Sequence, residues 1–558
     1  MYRVNRKSGT TLSTGTSYID PWAPSAHSAL KALLSARLCA AVWNNISDCD
    51  ETYNYWEPTH FLLYGSGFQT WEYSPVYAIR SYAYLLLHAF PGWLYSNLLQ
   101  ANKVLVFYFI RCLLGFICAV CEVYFYKAVC HRFGAHVGRM TLIFLLFSAG
   151  MFISSTAFLP SSFAMYCTLL TIGTWCYQKY SVRVTSLTIT CVATSTFIGW
   201  PFTAVLGLPI AIDIMFIQRK IGLFVKWCLL AVLFILIPVI QIDSYFYGKF
   251  VCAPINIILY NVFSTHGPNI YGVESWTFYF MNGFLNFNFV FVASLCVLPA
   301  VLLEHFVTKV SKQKINILII YDVCRQLVHI INVVPSKLWY HIFTRNQKKH
   351  YLDSTVFLAI IFGALTSIIS VLRIINLYRG YHASFETYLT LGQLASEETT
   401  PYHTNICVGK EWYRFPSSFF LPDSWNLQFI QSEFQGQLPQ QYSKDRNATS
   451  IIPALMNDQN LEEISRYIDI KFCHYLVDLD LPKATTKEPR YSTMENDWMI
   501  ISKTPFLDAE RSVDNKSHRF FRAFYIPFFS DIHCQYANYN LLKSRHRRNE
   551  DHPHKRRN

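Results

Sequence analysis

Nine stretches of this chain are apolar over about the length that crosses a bilayer, and nothing else in the sequence restricts its fold so tightly. They lie at about 28–44, 103–128, 139–158, 161–177, 184–200, 202–217, 221–242, 286–304 and 354–374. A hydrocarbon core of ~30 Å takes about 20 helical residues to cross, and in lipid each backbone N–H and C=O must be satisfied internally. The expectation is an all-α multispanning membrane bundle, with the fifth and sixth segments forming a hairpin at Gly199-Trp200-Pro201. Composition agrees: only 15% of the 558 residues are charged, against about 25% in soluble domains. A purely soluble enzyme is excluded. Residues 1–27 lack the apolar core of a cleaved signal, so they read as a cytosolic tail and the first span as an uncleaved targeting segment.

Basic residues orient the bundle. His131 to Arg139, Lys179 with Arg183, Arg219 with Lys220 and Lys309 to Lys314 fall in alternate connections, which the positive-inside rule places in the cytosol. The long loops 46–102 and 244–285 and the region 381–558 then face the other side. This predicts a transmembrane bundle over 28–380, a C-terminal domain over 381–542 and a basic tail at 543–558. Two glycosylation sequons, at Asn447 and Asn515, suit that side, while Asn45-Ile46-Ser47 lies too near the membrane to be used. Residues 315–334 are interrupted by Asp322, Arg325 and His329 and flanked by basic residues on both sides. They read as an interfacial helix. Lys and Arg exceed Asp and Glu by 48 to 35, but the excess sits in the tail and beside apolar runs, so nucleic acid is not an expected partner. The 16 cysteines are scattered, and Cys118 and Cys121 have no second ligand pair for a zinc site. Cys407, Cys473 and Cys534 are disulfide candidates in an oxidising compartment.

The stretch after the first span concentrates chemistry. Asp48, Asp50, Glu51 and Glu57 fall within ten residues, interleaved with Tyr53, Tyr55 and Trp56 and followed by His60. Carboxylates at a membrane surface can take a proton from a sugar hydroxyl while aromatics stack on pyranose faces. A charged collar at a helix end is the plainer alternative. Trp71, Glu72 and Arg80 follow, and a guanidinium facing acids at a lipid interface suits a lipid phosphate; Arg80 also reads as snorkelling from an interfacial helix over 77–98. Arg111 and Glu122, in the second span, read as facing the bundle interior. The loop 244–285 is rich in Asn, Gly and aromatics, with Asn261, Tyr271 and Trp276 as sugar-contact candidates, although turn chemistry alone accounts for its Gly, Pro and Asn. Gly409-Lys410 is no phosphate-binding loop, since neither the preceding glycine nor the following Ser or Thr is present.

Asp48-Cys49-Asp50-Glu51-Thr52-Tyr53-Asn54-Tyr55-Trp56-Glu57-Pro58-Thr59-His60 and Gly67-Phe68-Gln69-Thr70-Trp71-Glu72-Tyr73-Ser74-Pro75 closely resemble the endoplasmic-reticulum alpha-1,2-mannosyltransferases of glycosyltransferase family 22. Similarity resumes at Tyr260-Asn261-Val262-Phe263, Asn282 to Asn288, Arg379 to His382, Val408 to Ser418, Asn457 to Glu463 and Tyr475 to Asp480, covering nearly the whole chain. The resemblance implies a GT-C type fold, an all-α bundle with a C-terminal lumenal mixed α/β domain, in the endoplasmic reticulum membrane. It also implies dolichyl phosphate mannose as donor, a dolichyl-diphosphate-linked oligosaccharide as acceptor, and membrane lipid as surroundings. The family's Asp-Glu pair falls on Asp50 and Glu51. A β-linked donor giving an α-linked product means inversion, which needs one general base and no covalent intermediate. Asp50 is the expected base, with Glu51 and Asp48 as alternates. Tyr55, Trp56, Glu57, His60, Trp71, Glu72, Arg80, Asn261, Tyr271 and Trp276 are the expected substrate contacts, and neither metal nor cofactor is required.

Between Asn288 and Arg379 the sequence departs from the family, lacking its His-Lys-Glu-Glu-Arg-Phe motif and the apolar run after it. The departure implies an impaired form, short of basic groups for the donor phosphate. Two other functions stay open on residues alone: a glycosylphosphatidylinositol-anchor mannosyltransferase, and a noncatalytic multispanning protein such as a transporter or chaperone subunit. The internal repeats usual in transporters are absent from this sequence.

Overall fold

The computed structural model describes residues 22–177, 181–264, 270, 272–307, 350–397, 403–513 and 518–546. Tyr271, Asn515, residues 308–349 of the interval lacking the basic motif, with the segment 315–334 inside them, and tail residues 547–558 lie outside them.

Among the described residues, five helices are long and apolar enough to cross a membrane: Lys103–Phe133, Val182–Gly199, Ile221–Tyr247, Trp276–Val297 and Phe357–Tyr381. Shorter apolar helices at Ala135–Phe147, Pro201–Ile217 and Ala253–Phe263 accompany them. Large apolar side chains such as Leu229, Phe234, Phe357 and Ile360 stay on the outside, the surface that lipid covers in a multi-pass protein. The helix Ala26–Trp43 packs along Lys103–Phe133. Both bury ionic groups at their contact. Arg37 donates from Nε to Glu122 Oε2 at 3.0 Å and from Nη2 to Glu122 Oε1 at 2.6 Å, with both side chains fully buried. A lone charge there would be costly; the fork-to-carboxylate pair removes the vacancy on both partners.

Of the nine expected spans, 28–44, 139–158, 161–177 and 202–217 are not among these five long apolar helices. The run 139–158 is not continuous, because Ser148 leaves helical geometry and its hydroxyl caps the next helix at Met151 N (3.2 Å), giving Ala135–Phe147 and Ala149–Ser154. The hairpin at Trp200 forms as expected, with Pro201 starting the next turn. The span expected at 286–304 belongs to a helix that begins at Trp276 and kinks at Asn288.

Beyond the last span, the helix Ala383–Glu397 packs on a mixed five-stranded sheet ordered β3 (Trp425–Phe429), β2 (Thr404–Val408), β5 (Tyr475–Asp480), β7 (Gln535–Ser544), β6 (Trp498–Asp508). β2 runs parallel to β3 and β5, and β7 runs antiparallel to β5 and β6. The period of two divides the sheet's faces. Ile406, Val408, Val477 and Leu541 join Phe385, Tyr388 and Phe419 in a core continuous with the bundle, whereas Cys407, Leu476 and Leu542 form a smaller one behind. There Cys407 and Cys473 are disulfide-bonded, and Cys534 is a free thiol. β7 runs to Ser544, two residues into the segment read as a basic tail. The loop 46–102 is also no separate unit, since its β1 (Phe68–Gln69) pairs with β4 (Gln440–Gln441).

Candidate active site

Asp48 starts the acidic stretch as a helix cap, its carboxylate accepting from Asp50 N at 3.0 Å. One helical turn follows, then a π-helical stretch over Thr52–Trp56, then Glu57–Tyr64, which ends where Gly65 takes φ +73°. A wide π turn displaces side chains from ordinary helical spacing, a device common at functional sites. Here it buries Glu51 to His60 and leaves Asp48 and Asp50 facing outward.

The buried members hold the framework. Glu51 Oε1 accepts from Trp56 Nε1 (3.0 Å) and Phe158 N (2.9 Å). Burial pushes its carboxyl up, with Arg111 opposing. Glu57 Oε1 accepts from Ser417 Oγ (2.9 Å) and Ser418 N (2.6 Å), and Oε2 from Ser418 Oγ (2.8 Å) and Phe68 N (3.2 Å). Thr52 donates to Phe415 O at 3.0 Å and Tyr53 to Trp412 O at 2.8 Å. These bonds clamp the acidic stretch to the C-terminal segment 412–418. Trp56 is enclosed by Phe107 and Phe158. His60 binds Ser66 O, and burial, then Lys103, drops it to about 3, so it is a neutral core group. The expectation that Trp56, Glu57 and His60 touch substrate is therefore corrected: each is at most 1% exposed and spent on packing.

Asp50, by contrast, has a side chain 57% exposed, although the protein crowded around it displaces much of its water. Its carboxyl is pushed up to about 7 by that crowding first and then by Glu72 and Asp48, with Arg80 working against them. Arg80 Nη2 stands 3.9 Å from Asp50 Oδ2. Glu72 takes the side edge of the guanidinium, from Nε at 2.8 Å and Nη2 at 2.9 Å, and Tyr55 Oη takes one Nη1 proton. A guanidinium has five N–H groups, so its outer end remains for an anion. Two groups that sequence reasoning missed fix Arg80 from behind: Tyr247 Oη donates to Arg80 O at 2.7 Å, and Asp243 Oδ1 accepts from Ser81 Oγ (3.0 Å) and Ala83 N (3.1 Å). The available signal was an aspartate closing an apolar run.

Arg80, Tyr55 and Ser81 line a narrow cleft of about 30 Å³ whose other walls are apolar: Ile79, Phe197, Trp200, Pro254 and Ile257. Phe197 also lines a second, largely apolar cavity of about 280 Å³ among Val192, Leu208, Ile210 and Phe224. Trp71 packs on Tyr77 and Tyr260, joining the first loop to Ala253–Phe263. Asn261 bonds within its own helix to Ile257 O, and Trp276 is 72% exposed against Phe280, so neither enters the Arg80 network. Asp48, Cys49 and Asp50 offer ligand atoms within 4.8 Å of one another, and burial and then the two acids push the Cys49 thiol up to about 12.

Spans, sheet and site together define a multi-pass membrane protein with an acid and an arginine at the mouth of an amphiphilic cleft. The chain belongs to the Alg9-like mannosyltransferase family, whose family model matches residues 28–422. It is 49% identical to Alpha-1,2-mannosyltransferase ALG9 of Homo sapiens over 94% of this chain and 90% of the human protein. It is 40% identical to Alpha-1,2-mannosyltransferase Alg9 of Drosophila melanogaster over 95% of this chain and 89% of that protein. The crystal structure of ArnT from Cupriavidus metallidurans bound to undecaprenyl phosphate aligns with TM-score 0.41 and 11% identity, over 72% of this chain and 84% of that one.

Proposed function

We propose that this alpha-1,2-mannosyltransferase takes mannose from dolichyl phosphate mannose and transfers it, with inversion, to a mannose 2-hydroxyl of a dolichyl-diphosphate-linked oligosaccharide in N-glycan precursor assembly. It works in the endoplasmic reticulum membrane with Asp50 facing the lumen, on a GT-C type fold. One observation carries the reading: a carboxyl held near neutrality stands 3.9 Å from an arginine that opens into an apolar-walled cleft. A phosphate linked to both a sugar and a long hydrocarbon needs that combination. The hydrocarbon lies toward Phe197 and Trp200, the phosphate meets the outer end of Arg80, and C1 of the mannose is presented toward Asp50. Asp50 takes the proton of the acceptor 2-hydroxyl as its oxygen bonds to C1, and the bond from C1 to the phosphate oxygen breaks. Dolichyl phosphate leaves with the electron pair, its charge met by Arg80. No protein-sugar bond forms, as inversion in one displacement requires.

The near full-length similarity to proteins named alpha-1,2-mannosyltransferases favours this over the anchor-glycolipid reading. The test is transfer of radiolabelled mannose from dolichyl phosphate mannose to defined lipid-linked acceptors, using purified protein in nanodiscs. Transfer that persists undiminished in Asp50→Asn, or products joined through a hydroxyl other than the 2-position, overturns the reading.

A further inference from the structure

Two apolar projections of the C-terminal domain are tied to two different membrane-spanning helices. The first is the loop 448–455. Thr449 Oγ1 donates to Phe246 O at 2.7 Å, and a Cβ on Gly248, one residue past Ile221–Tyr247, would meet Ser450 Cβ at 3.0 Å. From this loop Ile452 and Leu455 stand 61% and 65% exposed, near the level of Tyr245 and Phe250, which are themselves exposed. The second projection is the segment 518–533. Tyr525 N donates to Leu372 O at 3.1 Å, Arg373 Nη1 to Ala523 O at 2.9 Å, and Asn376 Nδ2 to Arg522 O at 2.8 Å. Leu372 lies nine residues before the end of Phe357–Tyr381, about 13 Å along the helix axis at 1.5 Å per residue. The segment therefore descends alongside the span.

Its polar side is used up by Arg373 and Asn376, polar groups that a span tolerates only when they have partners. Its other side carries Phe528, Phe529 and Ile532, exposed by 81%, 55% and 72%. The segment then rises again, since Asp531 meets Arg379 at 3.5 Å near the end of the span with both about half exposed, so these apolar side chains stand at the headgroup boundary, where aromatic residues are favoured. We propose that the C-terminal domain stands on the bilayer through these two feet, one beside Ile221–Tyr247 and one beside Phe357–Tyr381, with phospholipid as the partner of both. Two supports on different helices fix the height and tilt of the sheet above Asp50, independently of any substrate.

The test labels the full chain, reconstituted in phosphatidylcholine liposomes, with a membrane-partitioning aryl diazirine while glutathione scavenges reagent in the water, followed by peptide mapping. Peptides spanning 451–455 and 520–532 should label within ~3-fold of the Phe357–Tyr381 peptide and at least ~10-fold above the polar loop 483–487, as interfacial burial requires. Ile452→Asp with Leu455→Asp should abolish labelling of the first foot and spare the second, and Phe528→Asp with Phe529→Asp should do the reverse. Labelling of both feet only at the level of 483–487 overturns the proposal, and labelling of one alone overturns the two-point stance. Protection in native membranes that disappears on purification assigns the patches to a protein partner instead, which also overturns it.

Discussion

A carboxyl with a pKa of about 7 changes its charge inside the range where a mannosyltransferase is assayed, and Asp50 is such a group. Its ordinary value is 3.8, so the shift is upward, and the base must be ionised to act. Below about 7 the proton occupies the site, and kcat/KM should fall as pH drops through that value and level off above it. The profile between pH ~5.5 and ~8.5 reads this directly. Glu72→Gln removes a repulsion, so its rising limb should move to lower pH, even though the loss of the Arg80 clamp lowers the plateau. Asp50→Asn should cost at least ~100-fold in kcat at unchanged expression, whereas Glu51→Gln should cost less, its carboxylate being turned inward to Trp56 and Phe158. Tyr247→Phe touches no substrate, yet it releases the Arg80 backbone. It should raise KM for dolichyl phosphate mannose more than it lowers kcat, and an unchanged donor KM would remove Tyr247 from the site's support.

Among the elements, the π-helical stretch Thr52–Trp56 shows where sequence reasoning stopped. The acidic cluster was visible in the order of residues, but which acids face in was not. That depends on partners such as Ser417 and Ser418, about 360 positions away. Glu57 looked like a sugar ligand and is a clamp. Removing two of its four donors in Ser417→Ala with Ser418→Ala should cost ~1–3 kcal/mol, read as thermal unfolding in detergent, with substrate KM values little changed. A large change in acceptor KM at unaltered stability would return Glu57 to the substrate. The spans were legible because a helix in lipid satisfies its own backbone, so local apolarity suffices. The break at Ser148 was not, since a serine cap inside an apolar run leaves little trace in hydropathy.

At the scale of the molecule, the side of the membrane is set by the basic connections. In sealed microsomes the region from 381 onward should resist protease until detergent is added. Digestion without detergent would reverse the orientation. The sheet was beyond sequence reasoning in detail, because β2, β5 and β7 meet across long intervals and alternation alone does not choose their order.

That order has a consequence for biosynthesis. β7, the last of the described strands to emerge from the ribosome, does not lie at an edge but between β5 and β6. Until it arrives, β5 and β6 present unpaired backbone, and the core shared by the sheet and the bundle lacks Tyr539 and Leu541. A nascent chain stopped short of β7 can insert every span and still lack the strand that joins β5 to β6. Synthesis therefore has to pass Ser544 before the site is braced, and a product truncated before that is left with an open sheet, the kind of defect that chaperones and degradation recognise.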